Sequence, residues 1–277
     1  AVETGLRPGA RVLSKAEQLV FLRQHLFQLP LERFRPLHDP ARYVEALATA
    51  IARAKDEAVT PEEFLAYANT LEAQAKAALD DETLQIKAAQ TRELAQCYEA
   101  YQRLLRQTDA IDFGDQVLGA LQLLERHPEI LELYRRRFRF ILVDEFQDTN
   151  FAQFRLLQWL APTTANITAV ADDDQSIYKW RGAAISNVLK LLEHYHHVRR
   201  IVLTQNFRSS QAILDCAYRL IRFNDPDRLE VTERIDKRLL AMCERKNLEP
   251  KLAVFDTASS EADWVARQIQ AGLESGK

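Results

Sequence analysis

Apolar residues recur at helical spacing along the first part of the chain. Between residues 43 and 54 they form one helical stripe, at positions 43, 44, 47, 50, 51 and 54. Thr60 and Glu63 have the spacing of a capping box, and Pro61 between them suits the first position of a helix. No strand pattern interrupts this region. We therefore predict a helical domain for residues 1–108.

After residue 111, short apolar runs alternate with helical patterns. The apolar runs predict buried strands at 140–143, 167–171, 201–203 and 252–255. The helical patterns lie at 150–160, 184–195, 210–223 and after Ser260. Because strands that alternate with helices are typical of parallel sheets, we predict an α/β architecture for this part of the chain.

Composition limits the class of protein. The 277 residues exceed the usual size of one domain and 47% of them are apolar, so two or three packed units are expected. No stretch approaches the ~18 consecutive apolar residues of a membrane helix. The three cysteines are scattered, which is typical of reduced thiols in a cytoplasmic protein. A net charge of −3 argues against a general polyanion-binding surface but leaves room for a local nucleic-acid groove.

Two carboxylates follow the first predicted strand. The run from Phe140 to Val143 leads directly into Asp144 and Glu145. Ligands of open α/β sheets bind at the carboxyl ends of the strands. Phosphoryl transfer needs one acid to hold magnesium and another group to position water. An apolar run that ends in two acids is common, so these residues alone leave nucleotide chemistry and an ordinary strand end both open.

The second predicted strand is followed by DDDQSIYKWRGA at 172–183. Gln175 can hydrogen-bond a phosphate or an attacking water. Tyr178 and Trp180 are interleaved with two cations, a mixture that suits stacked bases and a phosphate backbone. The competing interpretation is a buried aromatic pair, which the neighbouring cations and acids make costly to bury.

An arginine follows the third predicted strand, in TQNFRSS at 204–210. Arg208 in this position can reach a phosphate supplied from a neighbouring domain, as an arginine finger does. The hydroxyl residues after it can cap the next helix. Most arginines at such positions are surface ion-pair partners, so this segment alone leaves both interpretations open.

Taken in order, three segments closely resemble helicase motifs II, III and IV of the UvrD/Rep/PcrA branch of superfamily 1. They are DEFQDTN at 144–150, DDDQSIYKWRGA at 172–183 and TQNFRSS at 204–210. The upstream segment 111–115 also resembles an I/L-D-F-D-D element of that family, with Gly114 in place of an aspartate. Order and spacing both agree, so the resemblance extends over the whole chain.

The resemblance implies an ATP- and Mg²⁺-dependent enzyme and gives roles to individual residues. Asp144 would hold Mg²⁺ and Glu145 would activate the hydrolytic water. Gln147 and Gln175 would couple the γ-phosphate to the DNA site. These four residues therefore form the expected catalytic set, together with Arg208.

The resemblance also implies the groups that contact nucleotide and DNA. Phe207 would stack on adenine and Arg208 would contact the γ-phosphate, with Gln175 as a further nucleotide-binding residue. Single-stranded DNA would be contacted by Tyr178, Trp180 and Arg181.

The implied fold is α/β, with a RecA-like parallel sheet of the P-loop NTPase type and a helical insertion domain. Residues 1–108 would form the insertion, 109–200 the second half of the first RecA-like motor domain, and 201–277 the truncated start of the second. The phosphate-binding Walker A loop, G-x-x-x-x-G-K-[ST], has no match. The nearest string, at 272–277, is one residue too short and lacks the hydroxyl. We therefore expect a fragment that begins downstream of that loop and is inactive alone.

The expected parent enzyme is a cytoplasmic DNA helicase that translocates 3′ to 5′ on single-stranded DNA and separates duplexes at junctions. Its further partners would be repair or recombination proteins, and no membrane. Two alternatives stay open. The chain could be the motor of a RecB- or AddA-like helicase–nuclease, which a nuclease motif would reveal. It could instead be a non-hydrolysing DNA-binding module, against which the intact Glu145, Gln175 and Arg208 argue.

Overall fold

The computed structural model describes residues 9–78, 80–164, 166–176, 185–195, 197–243 and 250–275. The chain divides into two compact units, Ala1–Val198 and Arg199–Lys277. Within the described ranges, no helix has both the length and the apolar character needed to cross a membrane.

The first unit is built mainly from helices. Apart from short 3₁₀ turns, its elements are β1 (Arg11–Leu13), α1 (Lys15–Gln24), α2 (Val44–Asp56), α3 (Pro61–Ala77), α4 (Glu82–Gln107), β2 (Ala110–Asp112), α5 (Phe113–Arg126), α6 (Pro128–Arg137), β3 (Phe140–Val143), α7 (Phe151–Leu160), β4 (Asn166–Ala169) and α8 (Ile185–His194).

Local sequence explains where these helices begin and which face they bury. The Thr60 hydroxyl accepts a hydrogen bond from the backbone N–H of Glu63 at 3.2 Å, and the Glu63 carboxylate accepts one from the backbone N–H of Thr60 at 2.8 Å. This capping box confirms the predicted helix start at Pro61. The predicted stripe lies on α2, where Leu47 and Ile51 are buried.

The strands of the first unit form two parallel pairs. β1 pairs with β2, and β3 pairs with β4 so that Val143 lies opposite Ala169. Strands form at both predicted positions, 140–143 and 167–171, although β4 begins and ends earlier than expected. The prediction that these strands are buried is wrong, because Phe140 and Leu142 are 69% and 80% exposed and no layer in the described residues covers that face. The prediction that no strand interrupts the helical region is wrong, because β1 lies within it. β1 has only three residues, too few for an alternating pattern, and it is formed by pairing with a distant segment.

The main core lies where α1, α2 and α4 meet the β1–β2 pair. Its members are apolar side chains from all of these elements, among them Leu13, Leu22, Ile51, Tyr98 and Tyr101. A smaller cluster joins α5 to α7 through Leu118, Leu121 and Ala152. The helical part and the segment that carries β3 and β4 are thus connected through α5 and α7.

A buried cation joins several elements of the first unit. The Lys55 side chain has no exposed surface, and its Nζ lies 2.6 Å from Asp112 Oδ2 and 2.7 Å from Asp115 Oδ1. The Tyr101 hydroxyl and the Gln18 amide also donate to Asp112 Oδ2, at 3.0 and 3.2 Å. Burial raises the pKa of Asp115, and the Lys55 charge opposes that rise. The cluster fixes the end of α2 to β2 and to the start of α5.

The second unit contains β5 (Gln205–Asn206), α9 (Gln211–Ile221), α10 (Leu229–Thr232), β6 (Leu240–Ala241) and α11 (Ala258–Glu274). β5 and β6 form a parallel pair. The predicted strands at 201–203 and 252–255 are wrong, because neither segment is a strand. Leu203 and Leu252 are 75% and 91% exposed, so no neighbouring layer covers these apolar runs in the described part of the unit.

Candidate functional site

The acid loop, defined here as residues 144–150, joins β3 to α7. Parallel pairing continues past the ends of β3 and β4. The N–H of Val170 donates to the carbonyl of Val143 at 2.8 Å, and the N–H of Phe146 donates to the carbonyl of Val170 at 2.9 Å. The acid loop and residues 171–176 therefore leave the sheet at the same carboxyl edge, which is where ligands of α/β sheets bind.

Four polar residues at this edge form one chain of hydrogen bonds, which passes through the backbone N–H of Asp172. Gln147 is buried; its Nε2 donates to Glu145 Oε2 at 2.6 Å, and its Oε1 accepts from the backbone N–H of Asp172 at 3.0 Å. Asp172 Oδ2 in turn accepts from Gln175 Nε2 at 2.7 Å. A displacement at Gln175 can therefore reach Glu145 through two intervening residues.

The two acids are presented to solvent by an unusual backbone turn. Glu145 has φ 49° and ψ 43°, in the left-handed region that residues other than glycine seldom adopt. The strain is on the order of 1 kcal/mol. Asp144 Oδ1 accepts from the backbone N–H of Glu145 at 3.0 Å, and both carboxylates are exposed. An exposed carboxylate beside a strand end suits Mg²⁺, which prefers oxygen ligands and keeps several waters.

The far end of the acid loop is held by residues from two other helices. The Nδ2 of buried Asn187, on α8, donates to the carbonyl of Thr149 at 2.8 Å. Asn150 caps α7 by accepting from the backbone N–H of Gln153 at 2.9 Å. Its Nδ2 donates to Asp56 Oδ1, on the last residue of α2, at 2.6 Å.

Three consecutive aspartates, Asp172 to Asp174, bring carboxylate oxygens within 4.8 Å of one another. Asp172 accepts hydrogen bonds from the Gln175 amide and from the backbone N–H of Asp174. Asp173 is buried. Asp172 therefore caps the short turn that follows it.

In the second unit, a side-chain turn presents Phe207 and Arg208. Asn206 Oδ1 accepts from the backbone N–H groups of Arg208 and Ser209, at 3.0 and 2.8 Å. This Asx turn directs the chain out of β5. Phe207 is 71% exposed and Arg208 is exposed as well. An exposed ring and a guanidinium are therefore adjacent on this unit.

Residues 3–196 match the protein family described as UvrD/REP helicase N-terminal domain. The chain belongs to this family. An ATP-dependent DNA helicase PcrA from Staphylococcus epidermidis is 36% identical over 230 residues, which cover 82% of this chain and 28% of that protein. A PcrA helicase from Staphylococcus aureus is 40% identical over 186 residues, which cover 66% of this chain and 24% of that protein. The chain thus spans about a quarter of the length of these UvrD/REP relatives.

The structure brings together one part of the residue set predicted from the UvrD/REP motifs. Four of the predicted catalytic residues lie at the carboxyl edge of β3 and β4: Asp144, Glu145, Gln147 and Gln175. The two other predicted nucleotide-binding residues lie in the second unit: Phe207 and Arg208. The predicted DNA-binding residues lie outside the described part of the chain: Tyr178, Trp180 and Arg181.

Three residues around the acid loop were missed by sequence reasoning. Asp172 is one of three consecutive acids in the sequence, and in the structure it connects Gln147 to Gln175. Asn187 and Asp56 reach the loop from α8 and α2. Nothing local marks these two residues, because their partners lie 38 and 94 positions away along the chain.

Proposed function

We propose that this chain is the central part of an ATP-dependent DNA helicase that translocates 3′ to 5′ on single-stranded DNA and unwinds duplexes. Family membership supports the helicase class. Because the chain covers about a quarter of its PcrA relatives, the proposal concerns the whole protein that contains it. Direction of movement and substrate are carried over from the motif resemblance.

The observation that supports the motor best is the hydrogen-bonded chain Glu145–Gln147–Asp172–Gln175. Glu145 is exposed and oriented by the Gln147 amide, so its free carboxylate oxygen can take a proton from an attacking water. Gln175 lies at the other end of the chain, directly before the segment proposed to bind DNA. This connection gives DNA occupancy a physical route to the water-activating acid.

The proposed cofactors are ATP and Mg²⁺. Asp144 would hold Mg²⁺ through its exposed carboxylate, which is the kind of ligand that this ion prefers. Mg²⁺-bound ATP supplies the phosphoryl group and the charge neutralisation that its transfer requires. Phe207 offers an open ring face for adenine, and Arg208 offers a guanidinium for the γ-phosphate.

The remaining assignments are carried over from the motif resemblance. We propose a RecA-like arrangement in which residues 1–108 are a helical insertion, 109–200 belong to the first motor domain and 201–277 to the second. Tyr178, Trp180 and Arg181 would contact single-stranded DNA through stacking and charge. A cytoplasmic location, with repair or recombination proteins as partners, completes the proposal.

The test is the ATPase rate of the full-length protein with and without single-stranded DNA, beside the Glu145→Gln variant. We expect strong stimulation in the wild type and loss of at least ~10²-fold in kcat in the variant, because general-base catalysis contributes 10²–10⁴-fold. The matched control is Glu125→Gln, which makes the same change at an exposed site on α5. Single-strand binding without any ATPase in the wild type would mean a DNA-binding scaffold, and would refute the motor.

A further inference from the structure

We propose that Asp56 is a positioning residue for ATP hydrolysis, which holds the acid loop in place through its hydrogen bond to Asn150. The inference rests on the proposed function and adds to it a residue outside the helicase motifs. Asp56 is the last residue of α2, in the helical part of the first unit. Its Oδ1 accepts from Asn150 Nδ2 at 2.6 Å, across 94 positions of sequence.

Three hydrogen bonds fix the orientation of the Asn150 side chain. The Asn150 side-chain Oδ1 accepts from the backbone N–H of Gln153, and the backbone N–H of Asn150 donates to Gln153 Oε1 at 3.0 Å. With both of these bonds made, the side-chain amide has one orientation, and its N–H points to Asp56. Asp56 therefore fixes the position from which α7 starts, and with it the end of the acid loop.

The last turn of α2 is anchored in the core by Lys55. Lys55 precedes Asp56 and is held by Asp112 and Asp115. Because the backbone at Lys55 is fixed on the core side, the Asp56 carboxylate is a rigid support for Asn150. The acid loop is then constrained at three points, by the β3–β4 edge, by Asn187 and by Asp56.

An acid at this position is unfavourable for the helix itself. The C-terminal end of a helix carries partial negative charge, so a carboxylate on the last residue of α2 is repelled. Asp56 is also half-buried, and burial raises its pKa to about 6, with Glu57 and Asp112 adding to the rise. The Asn150 amide opposes that rise. Because the helix end and burial both disfavour a carboxylate at position 56, the hydrogen bond to Asn150 best explains the presence of Asp56 there.

The consequence for catalysis is specific. In the proposed mechanism Glu145 acts on the attacking water and Gln147 orients Glu145, so a loosened loop lowers kcat more than it weakens ATP binding. Misplacement of a catalytic group by about 1 Å can reduce the rate ~10²-fold, and a loosened support is expected to reduce it roughly tenfold. KM for ATP is expected to stay within about twofold.

The test compares three variants of the full-length protein in single-strand-stimulated ATPase assays. Asp56→Ala removes the acceptor and is expected to lower kcat roughly tenfold. Asp56→Asn keeps an oxygen acceptor for Asn150 and is expected to retain kcat within about twofold. Glu57→Ala removes a neighbouring exposed acid whose side chain has no hydrogen bond to the acid loop among the described residues, and its kcat is expected to be unchanged.

A second readout does not depend on turnover. Hydrogen exchange at the Gln153 amide, whose N–H donates to Asn150, is expected to be faster in Asp56→Ala than in Asp56→Asn. Wild-type kcat in Asp56→Ala, or equal losses in the alanine and asparagine variants, would overturn the inference. Unchanged exchange in Asp56→Ala would overturn it as well. An inactive wild type with the expected exchange pattern would instead refute the helicase proposal and leave the contact between Asp56 and the loop established.

Discussion

Replacing Lys55 by methionine is the sharpest test of how the first unit is held together. Methionine keeps most of the volume of the buried stem and removes only the charge. The ammonium group of Lys55 is 2.6 and 2.7 Å from two carboxylates and has no contact with solvent. The variant therefore leaves Asp112 and Asp115 without their cation, and it removes the Lys55 Nζ from its position over the rings of Tyr98 and Tyr101.

The magnitude follows from that arrangement. Removing one partner of a buried ion pair typically destabilises a protein by about 3–5 kcal/mol, because the remaining charge is uncompensated. The Gln18 and Tyr101 hydrogen bonds to Asp112 remain and reduce the loss, so we expect about 3 kcal/mol. For a unit of this size that corresponds to a fall in Tm on the order of 10 °C. Lys87→Met, on the exposed face of α4, is the matched control and should stay within about 0.5 kcal/mol.

The loss should also depend on pH, with a sign fixed by Asp115. Its folded-state pKa is raised by burial, so the folded protein binds this proton more tightly than the unfolded chain and loses stability as the pH rises above 3.8. Without Lys55 the pKa of Asp115 rises further. The difference in unfolding free energy between wild type and Lys55→Met should therefore be larger at pH 7.5 than at pH 5. Urea unfolding followed by far-ultraviolet circular dichroism measures it, and a loss below about 1 kcal/mol, or one independent of pH, would refute the reasoning.

Three further predictions concern single sites. Gly114→Ala should destabilise the protein by about 1–3 kcal/mol, because the added Cβ would lie 2.7 and 2.9 Å from Lys55 Cδ and Cβ. The control Gly119→Ala, whose added Cβ meets nothing within 4 Å, should be neutral or stabilising. Comparable Tm values for the two variants would contradict this prediction. Glu93→Ala should lower the free energy of unfolding, measured in urea, by about 2–4 kcal/mol, because the Glu93 carboxylate accepts from the backbone N–H groups of residues 32–34. The control is Glu99→Ala, at an exposed position of the same helix. A loss in Glu93→Ala no greater than that of the control would show that the three N–H groups find other partners. Asp56→Asn should become more stable relative to the wild type as the pH rises from 3.8 to about 6. The reason is that the pKa of Asp56 is higher in the folded than in the unfolded state, so ionisation of the wild-type carboxyl opposes folding in this pH range. Thermal unfolding at several pH values measures the Tm difference, and a difference that does not change with pH would contradict the prediction.

The parts of the fold that the sequence predicted correctly are those decided by neighbouring residues. The helix start at Pro61 depends on a hydroxyl and a carboxylate only three residues apart. β3 was found because four apolar residues end in two acids. β1 was missed because its three residues become a strand only beside β2. The runs at 201–203 and 252–255 show the opposite error, since an apolar run becomes a strand only when a paired neighbour and a covering layer exist.

The candidate site divides in the same way. The motif resemblance predicted Asp144, Glu145, Gln147 and Gln175 as site residues, and in the structure these four lie at one edge of the β3–β4 pair. Pattern reasoning would have given Lys55 a solvent-exposed position, since lysine is rarely fully buried unless it is paired. Its partner Asp112 lies 57 positions away, and only the folded chain brings the two together. Long-range polar pairing was thus the information that a single sequence did not contain.

The acid loop suggests why its motif extends beyond the two acids. Glu145 adopts a strained left-handed turn, and strain of this kind persists only where the surroundings over-determine the backbone. Gln147 stabilises that turn by hydrogen bonds to the Glu145 carboxylate and to the backbone N–H of Asp172. Asn150 stabilises the far end of the loop by its hydrogen bond to Asp56 on α2. The residues after Glu145 therefore build the conformation in which the acid can act. If the proposed function is correct, a change at Gln147 or Asn150 reduces ATP hydrolysis by the full-length protein even when Asp144 and Glu145 are intact.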